Sequence, residues 1–411
     1  MEKEERALIE KYLEKLEDDY GVTHDWNEVS IGMDEEGDEP DGISLSFPDD
    51  VYSAHYEIEE FLDYMSDIDT FKEVDKTTSR TDHIRQTVLY FRYNGYDQYE
   101  DKLLSYSFVD DDYTVRIVKQ PMLIGVANSL NENSDDDLGL GCTEPYIALE
   151  LKYTGKNRLK KEEEDGLFER ITFYLTKELK TSIYVTTVRD VRAAWDEVYL
   201  EDEEDDESAM MKIKVKDLIG YSPMLKLYKQ ALATEDQEIR FLQFYKIIEH
   251  ISPVVAKMEA YDKLNKRLDM LAASDRDYKY LDSLFSITRK YDMDVKDDYL
   301  AISVIQKCVD VIPLWEHLPE KLQKQIRSNL HIQGNEINDE NVKDEQLASL
   351  QKQIANILYS TRNNIVHAKS NYIPTGLELQ GEELIKGNMM MDKIAISIIQ
   401  WNTRQPEAYR V

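Results

Sequence analysis

The sequence predicts an α+β N-terminal domain followed by an all-α helical-bundle C-terminal domain. Three observations carry this. Apolar and aromatic segments of period two fill the first half, and apolar stripes of period near 3.6 fill the second. Between them stands EDEEDDESA, residues 201 to 209, a run of like charges that repel one another. A chain of 411 residues exceeds one ordinary core. The expected division is an acidic α+β domain over 1–200, a linker over 201–211 and a bundle over 212–411.

In the first half, helices are expected over 3–19, 55–66 and 160–180. Strands are expected at TVLYFRY (87–93), LLSYSFV (103–109), YTVRIV (113–118), PYIALELKY (145–153) and SIYVTTV (182–188), where apolar residues alternate. NENSDDDLGLG (131–141), rich in Asn, Asp and Gly, reads as a loop. In the second half, helices are expected over 215–233, 237–268, 276–291, 297–312, 317–330, 343–370 and 380–401. Pro253 lacks a backbone donor and is expected to kink or split the second of these.

The formal charge of −33 weighs against nucleic acid as a partner until its distribution is considered. Residues 1–211 hold 22 basic and 55 acidic side chains, whereas 212–411 hold 28 of each. The bundle is neutral, and all the excess acid lies in the first half. No stretch approaches the roughly 18 uninterrupted apolar residues of a membrane span. The charged N-terminus, MEKEERALIEKYLEKLEDDY, has no basic region followed by an apolar core, so a cytoplasmic protein is expected. Two cysteines, Cys142 and Cys308, form neither a disulfide framework nor a zinc pair, and the seven histidines fall in no ligand spacing. No metal or other cofactor is expected.

The unusual segment of the bundle is YSTRNNIVHAKSNY, residues 359–372. Its helix directs Leu347, Leu350, Ile354, Ile357, Leu358, Thr361, Ile365 and Ala368 along one core-facing stripe. His367 lies nearly opposite that stripe with Asn363 beside it, while Arg362 sits on the flank, about 140° from His367 on an ideal helix. An imidazole can move a proton at an RNA 2′-hydroxyl or leaving oxygen, and a guanidinium can hold the phosphate as charge builds. The same residues also suit a solvated helix end that caps carbonyls.

The run Arg362-Asn363-Asn364-Ile365-Val366-His367 resembles the R-x-x-x-x-H signature of the HEPN superfamily, in which a polar residue, commonly Asn, follows the Arg. Upstream, RFLQFYKIIEHI (240–251) is similar to the F-x-x-Y/F-Y-x-x-x-E helix of the ApeA-like subset found in bacterial phage-defence proteins, with Glu249 as its acid. The resemblance covers roughly 212–405 and implies a HEPN-like helical bundle. It implies a metal-independent endoribonuclease that cleaves cellular RNA, tRNA among the candidates, in anti-phage defence or as a toxin. Arg362 and His367 would be the catalytic pair, Asn363 would orient His367 or touch the phosphate, Glu249 would support the motif through Arg362, and Asn364 lies within the motif. It further implies a homodimer with two motifs facing one cleft, under an N-terminal sensor or regulatory domain that meets a protein or a phage-derived trigger. The alternative is a non-catalytic HEPN-type module for binding and dimerisation. Positive charge near the motif comes down to Lys369 and Lys352. Phe241 and Tyr245 are expected in the core.

The acidic half carries one rival. Glu150 and Lys152 share a face of PYIALELKY and match the E-x-K of magnesium-dependent nucleases, with Asp135, Asp136, Asp137 or Glu144 as the upstream acid. Alternation on a solvated face explains the pair equally well. MDEEGDEPDG (33–42) lacks the EF-hand order of acids, and GLGC (139–142) lacks the context of a dinucleotide site.

Overall fold

The computed structural model describes residues 3–26, 42–48, 50, 52–91, 100–130, 142–143, 146–185, 210–269, 278–293, 297–332, 337–338, 342–367 and 373–410. The acidic runs at 33–41 and 201–209, the loop 131–141, the expected strand ends 92–93 and 186–188, and Asp135, Asp136, Asp137, Glu144, Ala368 and Lys369 lie outside these residues. Two compact units divide between Leu218 and Ile219.

The first unit runs α1 (Lys3–Tyr20), β1 (Thr23–His24), β2 (Gly42–Ser46), β3 (Ala54–Glu57), α2 (Ile58–Ser66), β4 (Lys72–Asp75), β5 (Thr78–Arg80), β6 (Ile84–Phe91), α3 (Glu100–Leu104), β7 (Tyr106–Val109), β8 (Tyr113–Lys119), α4 (Met122–Ser129), β9 (Ile147–Tyr153), α5 (Lys161–Leu179), β10 (Ile183–Val185) and β11 (Met211–Lys214). Its main sheet has the order β11-β7-β8-β9-β6-β5-β4, with β10 also on β6, and β1-β2-β3 form a separate three-stranded sheet. Central strand β9 is covered on both faces. Leu149, Leu151 and Tyr153 pack with Phe168, Ile171 and Leu175 of α5. On the other side α1, α2 and α4 bring Leu13, Phe61, Tyr64 and Leu123 into a second core.

Several elements differ from the expectation. Residues 54–57 extend as β3, because Ala54 and Tyr56 face inward while His55 and Glu57 face out, a period of two. Leu103 and Leu104 end α3 rather than begin a strand. Helix α4, MLIGVANS, is buried at all eight positions, so it has no polar face to mark a helical period. Its Gly125 is required by close packing, since a Cβ there would collide with Thr143 and Phe47. Met211, the last residue of the expected linker, begins β11. Met211–Lys214 pair in parallel with Tyr106–Val109. Val215 and Leu218 complete the α5 core, and Arg170 Nη2 donates to their carbonyls at 2.8 and 3.2 Å.

The second unit is helical: α6 (Met224–Leu232), α7 (Gln237–Asp269), α8 (Tyr278–Met293), α9 (Asp297–Cys308), α10 (Glu320–Leu330), α11 (Asp344–His367) and α12 (Glu382–Thr403). Helix α6 starts nine residues later than expected, because Val215–Asp217 form a 3-10 turn of the first unit and Pro223 caps the helix. Helix α7 runs unbroken through Pro253. The missing backbone bond costs about 3 kcal/mol. Buried residues before it (Phe244, Ile248, Ile251) and after it (Val255, Ala256, Ala260) offset that cost and hold one helix. Helix α7 packs on α6, α8, α9 and α12, and α11 packs on α9, α10 and α7. No described helix is long and apolar enough to cross a membrane.

Candidate functional site

Helix α11 buries Leu350, Ile354, Ile357, Leu358 and Thr361, as its apolar stripe predicts, while Leu347 and Ile365 are half-buried. Thr361 Oγ1 donates to the Ile357 carbonyl at 2.8 Å and accepts the Leu379 amide at 3.0 Å, which ties the segment before α12 to the end of α11. This stripe fixes the rotation of the helix and therefore where its polar residues point.

Arg362 points toward α7. Its Nη2 lies 3.1 Å from Glu249 Oε1, and its Nη1 donates to Asn363 Oδ1 at 3.1 Å. The two partners of the ion pair are 113 residues apart in the chain and meet because α7 and α11 are neighbours in the bundle. The Arg362 side chain is 25% exposed and that of Glu249 is 47% exposed, so the pair is reachable from solvent. In that setting it contributes under about 1 kcal/mol to stability. Asn363 and Asn364 are half-buried, and His367 is exposed at the last position of α11.

Beside the ion pair lies a cleft of about 240 Å³ between α7, α9 and α11, lined among others by Tyr245, Glu249, Pro253, Asp297, Tyr359 and Arg362. Phe241 and Tyr245 are buried and stack at 6.4 Å between centroids. Burial, and then the nearby Glu249 carboxylate, hold the Tyr245 phenol above its ordinary pKa, so it remains a hydrogen-bond donor across the physiological range. Tyr359 and Asp297 were not anticipated. Tyr359 precedes Arg362 by three positions and so shares its face, a signal available in the sequence. Asp297 begins α9 and enters the cleft only through α9–α11 packing, which leaves no sequence mark.

The rival pair in the first unit does not lie on a solvated face: Glu150 is 1% exposed, and the candidate upstream acids Asp135, Asp136, Asp137 and Glu144 lie outside the described residues. The Glu150 carboxylate accepts from Tyr64 Oη at 2.5 Å, Gln86 Nε2 at 2.7 Å and Arg116 Nε at 2.8 Å. Arg116 also meets Glu60, and Lys152 pairs with Asp63. Among the described residues no group of three or more His, Cys, Asp or Glu side chains could hold a metal ion. Glu150 therefore anchors sheet to helix. Alternation places Glu150 and Lys152 on one face, and α2 meets that face at both, burying Glu150 against Tyr64 and leaving Lys152 half-buried in its pair with Asp63.

No family model matches the chain, and no match to it was found among curated proteins or solved structures. The HEPN resemblance therefore rests on the two quoted segments and on the geometry that joins Glu249 to Arg362.

Proposed function

We propose that the helical unit is a metal-independent endoribonuclease of HEPN type that cleaves cellular RNA, with tRNA a candidate substrate, in phage defence or as a toxin. The observation that supports this reading is the Arg362–Glu249 pair with Asn363 at the mouth of a cleft, which holds a guanidinium oriented yet reachable. In the reaction an RNA 2′-hydroxyl attacks the adjacent phosphorus, the bond to the 5′-oxygen breaks, and a cyclic phosphate and a 5′-hydroxyl result. His367 moves a proton at the attacking or the leaving oxygen, and Arg362 holds the non-bridging oxygens while negative charge builds. Glu249 and Asn363 fix the guanidinium plane, and Asn364 lies alongside in the motif.

The angle of about 140° between Arg362 and His367 around α11 favours a composite site in a homodimer, with Arg362 of one chain and His367 of the other on one phosphate. The acidic N-terminal unit acts as the regulator, since its charge repels RNA and suits a basic partner or trigger.

The test is RNA cleavage and growth with wild type, Arg362→Ala and His367→Ala, in EDTA. Each variant should lose at least about 100-fold in rate, and mixing the two variants should restore part of it, because a mixed dimer regains one complete site. Cleavage that persists in both variants removes the assignment. A second reading, a non-catalytic binding and dimerisation module, is favoured by the same ion pair, because Glu249 already supplies an anion to Arg362. Intact RNA with the wild type, alongside a stable dimer, would select it.

A further inference from the structure

On the side of α11 away from Arg362 lies a groove of about 350 Å³ between α10, α11 and Leu377. Its floor is apolar, from Leu322, Ile326 and Ile357. Its rim carries four side-chain amides, Gln325, Asn329, Gln353 and Asn356, together with Ser349 and Lys352, and among the described residues no carboxylate. That lining contrasts with the cleft beside Arg362, which contains Glu249 and Asp297. On α10, Lys321 lies one turn before Gln325 on the same face, whereas Lys324 pairs with Glu320 away from the groove. On α11, Ser349, Lys352, Asn356, Asn363 and His367 fall within about 60° of one another, so the groove lies on the face that His367 occupies.

We propose that this groove binds single-stranded RNA and delivers it along α11 to His367. A base face rests on the Leu322 and Ile326 floor. Gln325 and Asn356 offer both donors and acceptors to base edges, where a carboxylate could only accept, and Asn329 Nδ2 donates to Gln353 Oε1 at 3.0 Å between the two helices. Lys352 meets a phosphate as a point charge. Asn356 stands about 16 Å from His367 along the helix axis, so a bound strand reaches the imidazole within a few nucleotides. The choice of ligand rests on the ribonuclease reading. The groove supplies what that reading lacks, a positive contact in a neutral domain.

The experiment uses the full chain carrying His367→Ala and measures fluorescence anisotropy with a labelled single-stranded RNA of mixed sequence, with the same RNA as a duplex for comparison. Adding Lys352→Glu should weaken single-strand binding about tenfold. Lys352→Gln should lower the slope of log affinity against log salt by about 0.7, the loss of one phosphate contact. Asn356→Leu should change base preference and leave the salt slope unaltered. Binding unchanged in all three variants, or duplex bound as tightly as single strand, overturns the proposal, as does tight binding of a peptide partner in competition with RNA. Lys352 and Asn356 are not core residues, and circular dichroism verifies the fold. If the His367→Ala parent still cleaves RNA, the catalytic assignment fails while the groove stands or falls on the binding data alone.

Discussion

Two carboxylates show how differently the halves of this chain use charge. Glu150 in the first unit is 1% exposed and takes hydrogen bonds from a tyrosine, a glutamine and an arginine on three elements. Glu249 in the second unit is 47% exposed and holds one arginine at 3.1 Å. A buried carboxylate with several donors fixes a core, because removing it strands its partners away from water. A half-exposed pair contributes little to stability and stays open to exchange with a substrate anion. The first unit repeats the buried arrangement on its other sheet face. There Glu164 of α5, 1% exposed, accepts from Arg85 Nη1 and Tyr153 Oη, both at 2.8 Å. The numerous acids of that unit thus include structural members, and the functional candidates fall in the half with no net charge.

The sharpest way to break the contrast is Glu150→Leu, which removes the buried acceptor that Arg116, Gln86 and Tyr64 share and leaves Arg116 and Tyr64 with Glu60. It should destabilise the first unit by about 3 kcal/mol in urea unfolding, and a change below about 1 kcal/mol would show that the network is dispensable. Next comes alkaline titration. Burial and neighbouring carboxylates raise the phenols of Tyr64 and Tyr153 in the first unit and Tyr245 in the second above the ordinary 10.0. The unfolded chain therefore releases these protons first, so stability is intact below pH 10 and declines as pH rises above it. Tyrosinate absorbance from these residues should appear only together with unfolding. Ionisation in the native state would contradict their enclosure.

Smaller in stability is Glu249→Gln, expected to cost under about 1 kcal/mol while lowering RNA cleavage through a loosened Arg362. The reverse outcome, lost stability with intact cleavage, would make the pair structural. Smallest is the response of Cys308, whose thiol burial pushes up to about 12. It should resist thiol reagents at neutral pH until the helical unit unfolds.

Regular elements with an exposed side were legible in the sequence. The stripe on α11 and the boundaries of α7 follow from a helical period, and β8 follows from alternation. What failed had no such contrast. Helix α4 is buried all round, β4 is exposed at every position, and β11 is a four-residue edge strand recognised only by its pairing with β7. At the site, the motif places Arg362 and His367 on different faces of one helix. That Arg362 meets Glu249 depends on which helices pack together, which a single sequence does not state. Glu150 misled for the same reason, since two residues on one strand face receive different cover from α2.

The return of the chain to the sheet at β11 changes what a cut in residues 186–209 would accomplish. That stretch joins β10 to β11 in sequence, and the β11 backbone pairs with β7 while Arg170 clamps its exit at Val215 and Leu218. A protease nick there would sever the covalent link without releasing the helical unit, because the second fragment keeps its own strand in the first fragment's sheet. Separation would require peeling that strand away, and a truncation meant to free the helical unit should begin at Ile219.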